Sequence, residues 1–481
     1  MNHQHKIAIL KYTTKNFWLL LIPLVRGLIA MNFDFYSWLK GAYWDILVIL
    51  LMIGLAVFRW WNISYDIKEE GILVRDGLFV RNEYLLPFKI TSCVSAKRSM
   101  WLRPFGAVTV AVDSDSHSAS NKRGGADVEL ILPLNDYRAL YNGIPRESSS
   151  MKITYHASRG NLILFSLVFS STLSGVILLG TLFIQGSRIV GNELEEMLLT
   201  AVNDVTQVVQ TIINGVTPFA VALTLVIAVG WGFSFVSNLL RHINFRIKRY
   251  GENIFVENGF FSRRRYYINY SRINFADLRQ NLLMKICGVM SVHASCTGYG
   301  KEKNGIPVFV PITTRNRVMD SMRLILPKFT VNEISIKTKK GYIIAFVWVP
   351  ILLAAGLPFI AIYAAALFPR WDSIIKFLVS MAEIPAIYLL IVKFCAKFTT
   401  GIGLGDGMVT LRYCRFYQFH TVIVPRNKIV CVRLSQTIFQ RFSDVCDVFV
   451  YTRGERASKH RIRGISCPEA EKFAYLCSKE V

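Results

Sequence analysis

The feature that most constrains this chain is a stretch that occurs three times, each time just after a pair of apolar segments. The copies read EEGILVRDGLFVRNEYLLPFKI, ending at Ile90; GENIFVENGFFSRRRYYINYSRI, ending at Ile273; and GDGMVTLRYCRFYQFHTVIVPRNKI, ending at Ile429. Pro87, Asn269 and Pro425 serve as equivalent anchors. Eight residues upstream of them stand Phe79, Phe261 and Tyr417; fourteen downstream stand Trp101, Leu283 and Phe439; sixteen downstream stand Arg103, Lys285 and Arg441. Nineteen downstream come Gly106, Gly288 and Asp444, then apolar alternation in Val108 and Val110, Met290 and Val292, Cys446 and Val448. A shared basic position and a shared turn position, held without a gap, mark an internal repeat rather than chance alignment of apolar residues.

Inside each copy the period is that of strands. ILVRDGLFV and NIFVENGFF place Asp-Gly and Asn-Gly between apolar runs, a strong hairpin signal. Period-2 alternation returns in AVTVAV, VMSVHA and CDVFVY. A polar loop, a short apolar run and a closing helix follow, at about 133–142, 312–326 and 467–477. In the last of these Ser466 is the N-cap and Pro468 lies in the first turn. Asp444, standing where the other copies have Gly, departs from the turn pattern.

The segments between the copies are too apolar for a soluble chain. Of 481 residues 52% are hydrophobic, and the mean hydropathy is +0.36. Six stretches approach the roughly 20 residues that span a bilayer: about 17–33, 44–60, 161–184, 217–240, 342–368 and 373–396. They come in pairs, which reads as three transmembrane hairpins. No cleavable signal peptide is evident, so Met1–Lys15 is expected to stay as a short basic tail. Basic residues flank the hairpins on the side of the long soluble stretches, whereas between Gln185 and Pro218 Arg188 is outnumbered by Glu193, Glu195, Glu196 and Asp204. The positive-inside rule then puts both termini and all three soluble stretches in the cytoplasm of a multi-pass plasma-membrane protein. Nine cysteines without CxxC spacing fit reduced thiols on that side. Apolar positions at Leu194, Leu198, Val202, Val205, Val209 and Ile213 predict an amphipathic helix over Ile189–Ile213 on the outer face.

The hairpin-then-strands order, VPRNKI and FQRFSDVCDVFV together resemble the bacterial pleckstrin-homology-like membrane proteins, with their P-x-x-[RK]-I followed by an aliphatic-x-R-x-x-G stretch. The third copy has the motif as Pro425, Lys428 and Ile429; the first compresses it to PFKI, and the second has Asn269 in place of Pro. Three units with six membrane helices resemble the YdbT-like group over nearly the whole chain. The resemblance implies membrane α-helical hairpins plus all-β to α+β PH-like barrels, each with a C-terminal helix, in a threefold repeat. The expected division is 1–61, tail and hairpin 1; 62–152, PH-like domain 1; 153–241, hairpin 2 with the outer helix; 242–335, PH-like domain 2; 336–397, hairpin 3; 398–481, PH-like domain 3. It implies no catalytic residues and no cofactor. It further implies a scaffold or interaction protein with a role in envelope maintenance or resistance to membrane-active agents. Its implied partner is a smaller single-unit PH-like membrane protein or a second copy of itself. A six-helix transporter or channel, or a lipid-handling protein, is the alternative.

The residues themselves offer no enzyme. His117, His156, His242, His293, His420 and His460 stand in unrelated contexts, with no HExxH and no Cys/His ligand set. GIGLGDG has Asp406 where GxGxxG needs Gly, and GYGKEKNG lacks the Ser or Thr of a phosphate loop. Together with RGERASKHRIRG the latter reads as a strand connection. Arg263, Arg264 and Arg265, followed by Tyr266 and Tyr267, form the densest basic-aromatic cluster, within a stretch, Arg241–Gly341, of 19 basic and 6 acidic side chains. Contact with anionic membrane lipid and a plain solvated strand face both fit it, and no nucleic-acid recognition motif accompanies it. Arg26 and Glu383 fall near mid-bilayer, where a charge needs a partner or a water cavity. The expectation is that they pair and tie the first hairpin to the last.

Overall fold

A computed structural model of the chain describes residues 2–13, 35–77, 80–114, 126–143, 152–170, 193–212, 218–299, 308–339, 341–405, 407–454 and 458–478. The first unit has β1 (Asn2–His3), β2 (Ser64–Lys68), β3 (Gly71–Asp76) and β4 (Asn82–Pro87), then β5 (Thr91–Arg98), β6 (Ala107–Ser114) and β7 (Val128–Pro133). The second has β8 (Lys152–His156), β9 (Arg246–Tyr250), β10 (Asn253–Asn258) and β11 (Arg263–Asn269), then β12 (Ile273–Asn281), β13 (Val289–Cys296) and β14 (Val308–Thr314). The third has β15 (Ile336–Lys337), β16 (Gly401–Leu404), β17 (Met408–Arg415) and β18 (Gln418–Pro425), then β19 (Ile429–Ser435), β20 (Val445–Thr452) and β21 (Ser458–Ser466). Helices Leu134–Gly143, Arg315–Ile325 and Cys467–Ser478 close the units as the sequence predicts.

All the pairings are antiparallel, and the sheets stay open rather than closing into the expected barrels. Their orders show why. The first four strands form one sheet, β1-β2-β3-β4, and the last three another, β19-β20-β21. Between them lie two seven-stranded sheets, β7-β6-β5-β11-β10-β9-β8 and β14-β13-β12-β18-β17-β16-β15. Each of these joins the last three strands of one unit to the first four of the next, so neighbouring units share a ladder. Each unit still encloses its own core: Tyr65, Ile72 and Val74 of the first sheet meet Val108, Val110 and Leu130 of the second under Leu140 of the closing helix.

The sequence division also shifts. The strand before each membrane hairpin belongs with the strands after it: Ser64 and Tyr65 pair with His3 and Asn2, Arg246 to Tyr250 with His156 to Lys152, and Ile402 with Ile336. The Met1–Lys15 tail is therefore partly structured, with a short helix Ala8–Tyr12. Each hairpin leaves and returns through adjacent strands, which brings its two ends together.

Turn chemistry explains the local shape. Gly259 has φ +99°, and a Cβ there would lie 2.1 Å from the Ser262 carbonyl oxygen. Gly106 and Gly288, both at φ +65°, and Asp444 at +49° take the same left-handed turn, so Asp444 keeps the fold of its equivalents.

Among the described residues three helices are long and apolar enough to cross a membrane: Val221–His242, Ile344–Leu367 and Pro369–Thr399. Shorter apolar helices cover Leu47–Asn62 and Arg159–Phe169. The predicted span 17–33 and most of 161–184 lie outside the described residues. Helix Glu193–Ile212, inside the predicted amphipathic segment, packs on helix Pro218–His242 and buries Thr206, while Met197, Leu199 and Val208 are exposed. None of the nine cysteines is in a disulfide.

Candidate membrane-facing site

In each unit a short helical turn follows the fifth strand: Met100–Leu102, Leu282–Ile286 and Ile438–Phe442. Side-chain caps fix two of them. The Met284 amide donates to Asn281 Oδ1 over 2.7 Å, and Thr437 with Gln440 forms a capping box. Two of the turns pack on one side against an apolar helix, and the residue after the third is tied to the segment between β15 and helix Ile344–Leu367. Leu102 joins Ile7 and Trp60, Met284 joins Phe165, and Lys339 Nζ donates to the Ser443 carbonyl over 2.8 Å. The other side is bare and apolar: Met100 and Trp101, Leu283 and Ile286, Ile438, Phe439 and Phe442 are all exposed. Arg103, Lys285 and Arg441 stand among them. Exposed aromatics interleaved with basic side chains, at the foot of membrane helices, suit the boundary between headgroups and acyl chains.

The strand-hairpin tips join the same rim. Phe260, Phe261, Phe416 and Tyr417 are exposed, and the Arg103 guanidinium of unit one donates to the Phe260 carbonyl of unit two. Tyr417 reaches the carbonyl of Pro385 over 3.4 Å and stands 5.6 Å from the Tyr388 ring, both on helix Asp372–Thr399.

Between that hairpin and unit three lies a cavity of about 630 Å³. Phe346, Val349, Pro350 and Leu389 make its apolar wall, and Lys393, Arg415, Lys459, Arg461 and Arg463 its basic one. Strand alternation places Lys459, Arg461 and Arg463 on one face of β21, while His460 and Ile462 point into the core. Asp447 binds Arg461 at 2.6 Å, and the Phe449 ring lies 4.3 Å from Lys459 Nζ. Burial, with Arg461 next to it, disfavours the charged form of Arg463. Burial also raises the Cys414 thiol, against the pull of Lys393, whose Nζ lies 3.8 Å from its Sγ. A cleft with cations on one wall and membrane-helix hydrocarbon on the other matches an anionic amphiphile. The sequence carried this signal in the alternation of SKHRIRG, which reads as a loop only if the strand period is missed.

The predicted basic-aromatic cluster is strand β11 itself, at the junction of units one and two. Pleating splits it. Arg265 pairs with Glu257 at 3.1 Å, and Tyr267 is buried with its hydroxyl donating to Asn253 Oδ1 over 2.7 Å. Tyr266, on the opposite face, meets Tyr299 edge-on at 4.9 Å. Arg263 stands opposite Arg98, and Arg264 opposite Lys97. Like charges directly opposite each other on a ladder repel. Of the intramembrane pair, Arg26 lies outside the described residues. Glu383 borders a cavity of about 320 Å³ with Pro358, Ala361, Ile362, Lys376, Val379 and Ser380.

The second junction holds a buried polar cluster. Asp277 receives Arg279 Nε at 2.7 Å and lies 3.0 Å from His420 Nδ1, across the boundary between units. Burial opposes its charge, but His420 and Arg279 hold the carboxyl well below the ordinary range. Tyr413 stacks on His420 and shares a 2.9 Å hydrogen bond with His460 Nδ1. Burial pulls His460 down to about 4. Among the described residues no three or more His, Cys, Asp or Glu converge as metal ligands.

Comparison with known proteins agrees with this architecture. The family model described as bacterial PH domain matches three stretches, residues 10–147, 198–323 and 342–481. The chain is 18% identical to the UPF0699 transmembrane protein YdbT of Bacillus subtilis (strain 168) over 418 residues, 81% of this chain and 79% of that one. No solved structure matches.

Proposed function

The chain belongs to the bacterial PH-domain family, and from that premise we propose that it is a scaffold of the bacterial plasma membrane, with its three units and both termini on the cytoplasmic face. One observation carries the reading: neighbouring units share seven-stranded sheets instead of hanging on linkers. Backbone ladders fix the spacing of three membrane-tethered units, which serves a platform and hinders the rocking of repeats against each other that transport requires. The paired strands at the two ends of each hairpin favour placing all three units on one side.

Anionic phospholipid is the partner that the membrane-facing residues favour. Its headgroup would lie against Arg415, Lys459 and Arg463 and its chains against Val349 and Leu389, with Arg263 and Arg264 as a second contact. Physiologically the scaffold would serve envelope maintenance or resistance to membrane-active agents.

Mass spectrometry of the tagged chain, purified gently from its own membrane, tests both parts. A stoichiometric membrane-protein partner, or a second copy, supports the scaffold. No protein partner with one solute strongly enriched contradicts it and favours transport. For the cleft, Arg415→Gln with Arg463→Gln is expected to lose most of the co-purifying anionic lipid; unchanged lipid removes that assignment.

A further inference from the structure

Two sheet edges depart from a pattern the rest of the molecule keeps. Both junctions use one register when counted from the anchors Pro87, Asn269 and Pro425. The position seven after one anchor faces the position two before the next: Val94 opposite Tyr267, and Ala276 opposite Ile423. The position ten after faces the position five before: Lys97 opposite Arg264, and Arg279 opposite His420. At the two ends of the array the same strands stand alone. Among the described residues no strand pairs with the outer edge of β4 or of β19.

These edges are nonetheless built like the paired ones. β5, β12 and β19 all carry a bulge at the same repeat position, Ser92, Asn274 and Val430. Burial then separates the ends from the middle. Ser92 and Asn274 are 0% and 1% exposed, but Val430 is 66% exposed. Cys93 and Phe275 are buried, but Cys431 is exposed. On the other edge Tyr267 and Ile423 are buried, whereas their equivalent Leu85 is 54% exposed. Each edge presents a short apolar run, Val430–Val432 on β19 and Tyr84–Leu86 on β4, beside Arg433 on the one and between Glu83 and Pro87 on the other, and an unpaired apolar run on a sheet edge invites pairing.

We propose that β19 of one molecule pairs with β4 of a second copy, in the register of the internal junctions, so that the protein assembles head to tail within its membrane. The occupant is a second copy because the chain carries both halves of the joint, one at each end, and already makes that joint twice within itself. The contact is heterologous, so it does not saturate in a dimer; it continues into a row or closes into a ring. The internal joint links units that each follow a membrane hairpin, so its repetition between chains keeps the next molecule tethered to the same bilayer. This goes beyond the scaffold reading, since lipid retention in the cleft and end-to-end pairing can fail separately.

The register predicts that Cys431 faces Leu86 of the next molecule and Val432 faces Leu85. The full chain carrying Leu86→Cys, oxidised in its native membranes, is expected to give covalent dimers and a ladder of larger species. Adding Cys431→Ser should abolish them, and Asn82→Cys, four positions out of register, should give at least tenfold less. Because Leu86 belongs to the core, the pair Leu85→Cys with Val432→Cys in a Cys431→Ser background repeats the test at exposed or half-buried positions. Cross-linking that survives Cys431→Ser in the first variant, fails in both registered pairs, or captures a different protein in place of a second copy overturns the proposal.

Discussion

At the residue scale the left-handed turn nineteen positions after each anchor is a clean test of the repeat. Open space surrounds a Cβ built on Gly288 or Gly106, so the cost of Gly288→Ala is the backbone's alone, about 1 kcal/mol. Asp444→Gly should gain a few tenths to about 1 kcal/mol for the same reason. Thermal unfolding of the purified chain in detergent reads both. His460 supplies a pH test. Its folded pKa of about 4 lies below the ordinary 6.5, so between these values the unfolded chain binds the extra proton and stability rises with pH. Acidification from pH 7 to 5 should therefore lower the melting temperature of the third unit, and His460→Gln should flatten that slope. An equal slope in both proteins would contradict the burial of a neutral imidazole.

At the element scale the junctions and the rim carry the account. Asp277→Asn leaves Arg279 and His420 without their carboxylate at the boundary of units two and three, a loss of about 3–5 kcal/mol for a buried pair. Hydrogen exchange should quicken first in β12 and β18; quickening confined to the closing helix Arg315–Ile325 would contradict the role given to this pair. Trp101 tests the rim. In bilayers of brominated lipid its fluorescence should be quenched, and Trp101→Phe should remove that share of the quenching; no difference would place the turn in water. Much of this scale was legible in the sequence. Asp-Gly and Asn-Gly marked the hairpins, and Ser466 with Pro468 marked the last helix. The pairing of β8 with β9, across more than eighty intervening residues, was not legible, because a five-residue edge strand such as Lys152–His156 has no periodicity long enough to stand out. Nor was the split of the Arg263–Tyr267 cluster: which face a strand residue takes depends on the ladder it joins, and β5 lies in another unit.

At the scale of the whole molecule the repeat was visible but its assembly was not. Equivalent positions such as Cys93 and Cys431 look alike in sequence and differ only in whether a next unit covers them. Local signals predict units; they do not say that β11 closes on the preceding unit rather than on its own, which is why barrels were expected and open, shared sheets are found. The end strands β4 and β19, which no strand among the described residues covers, follow from that one topological fact. The most direct measurement is a single-particle cryo-EM reconstruction of the full chain in lipid nanodiscs. The account predicts two continuous seven-stranded sheets linking three units, with Trp101, Phe261 and Phe439 at the edge of the lipid density. Three closed, separately mobile barrels, or those aromatics far from lipid, would contradict it.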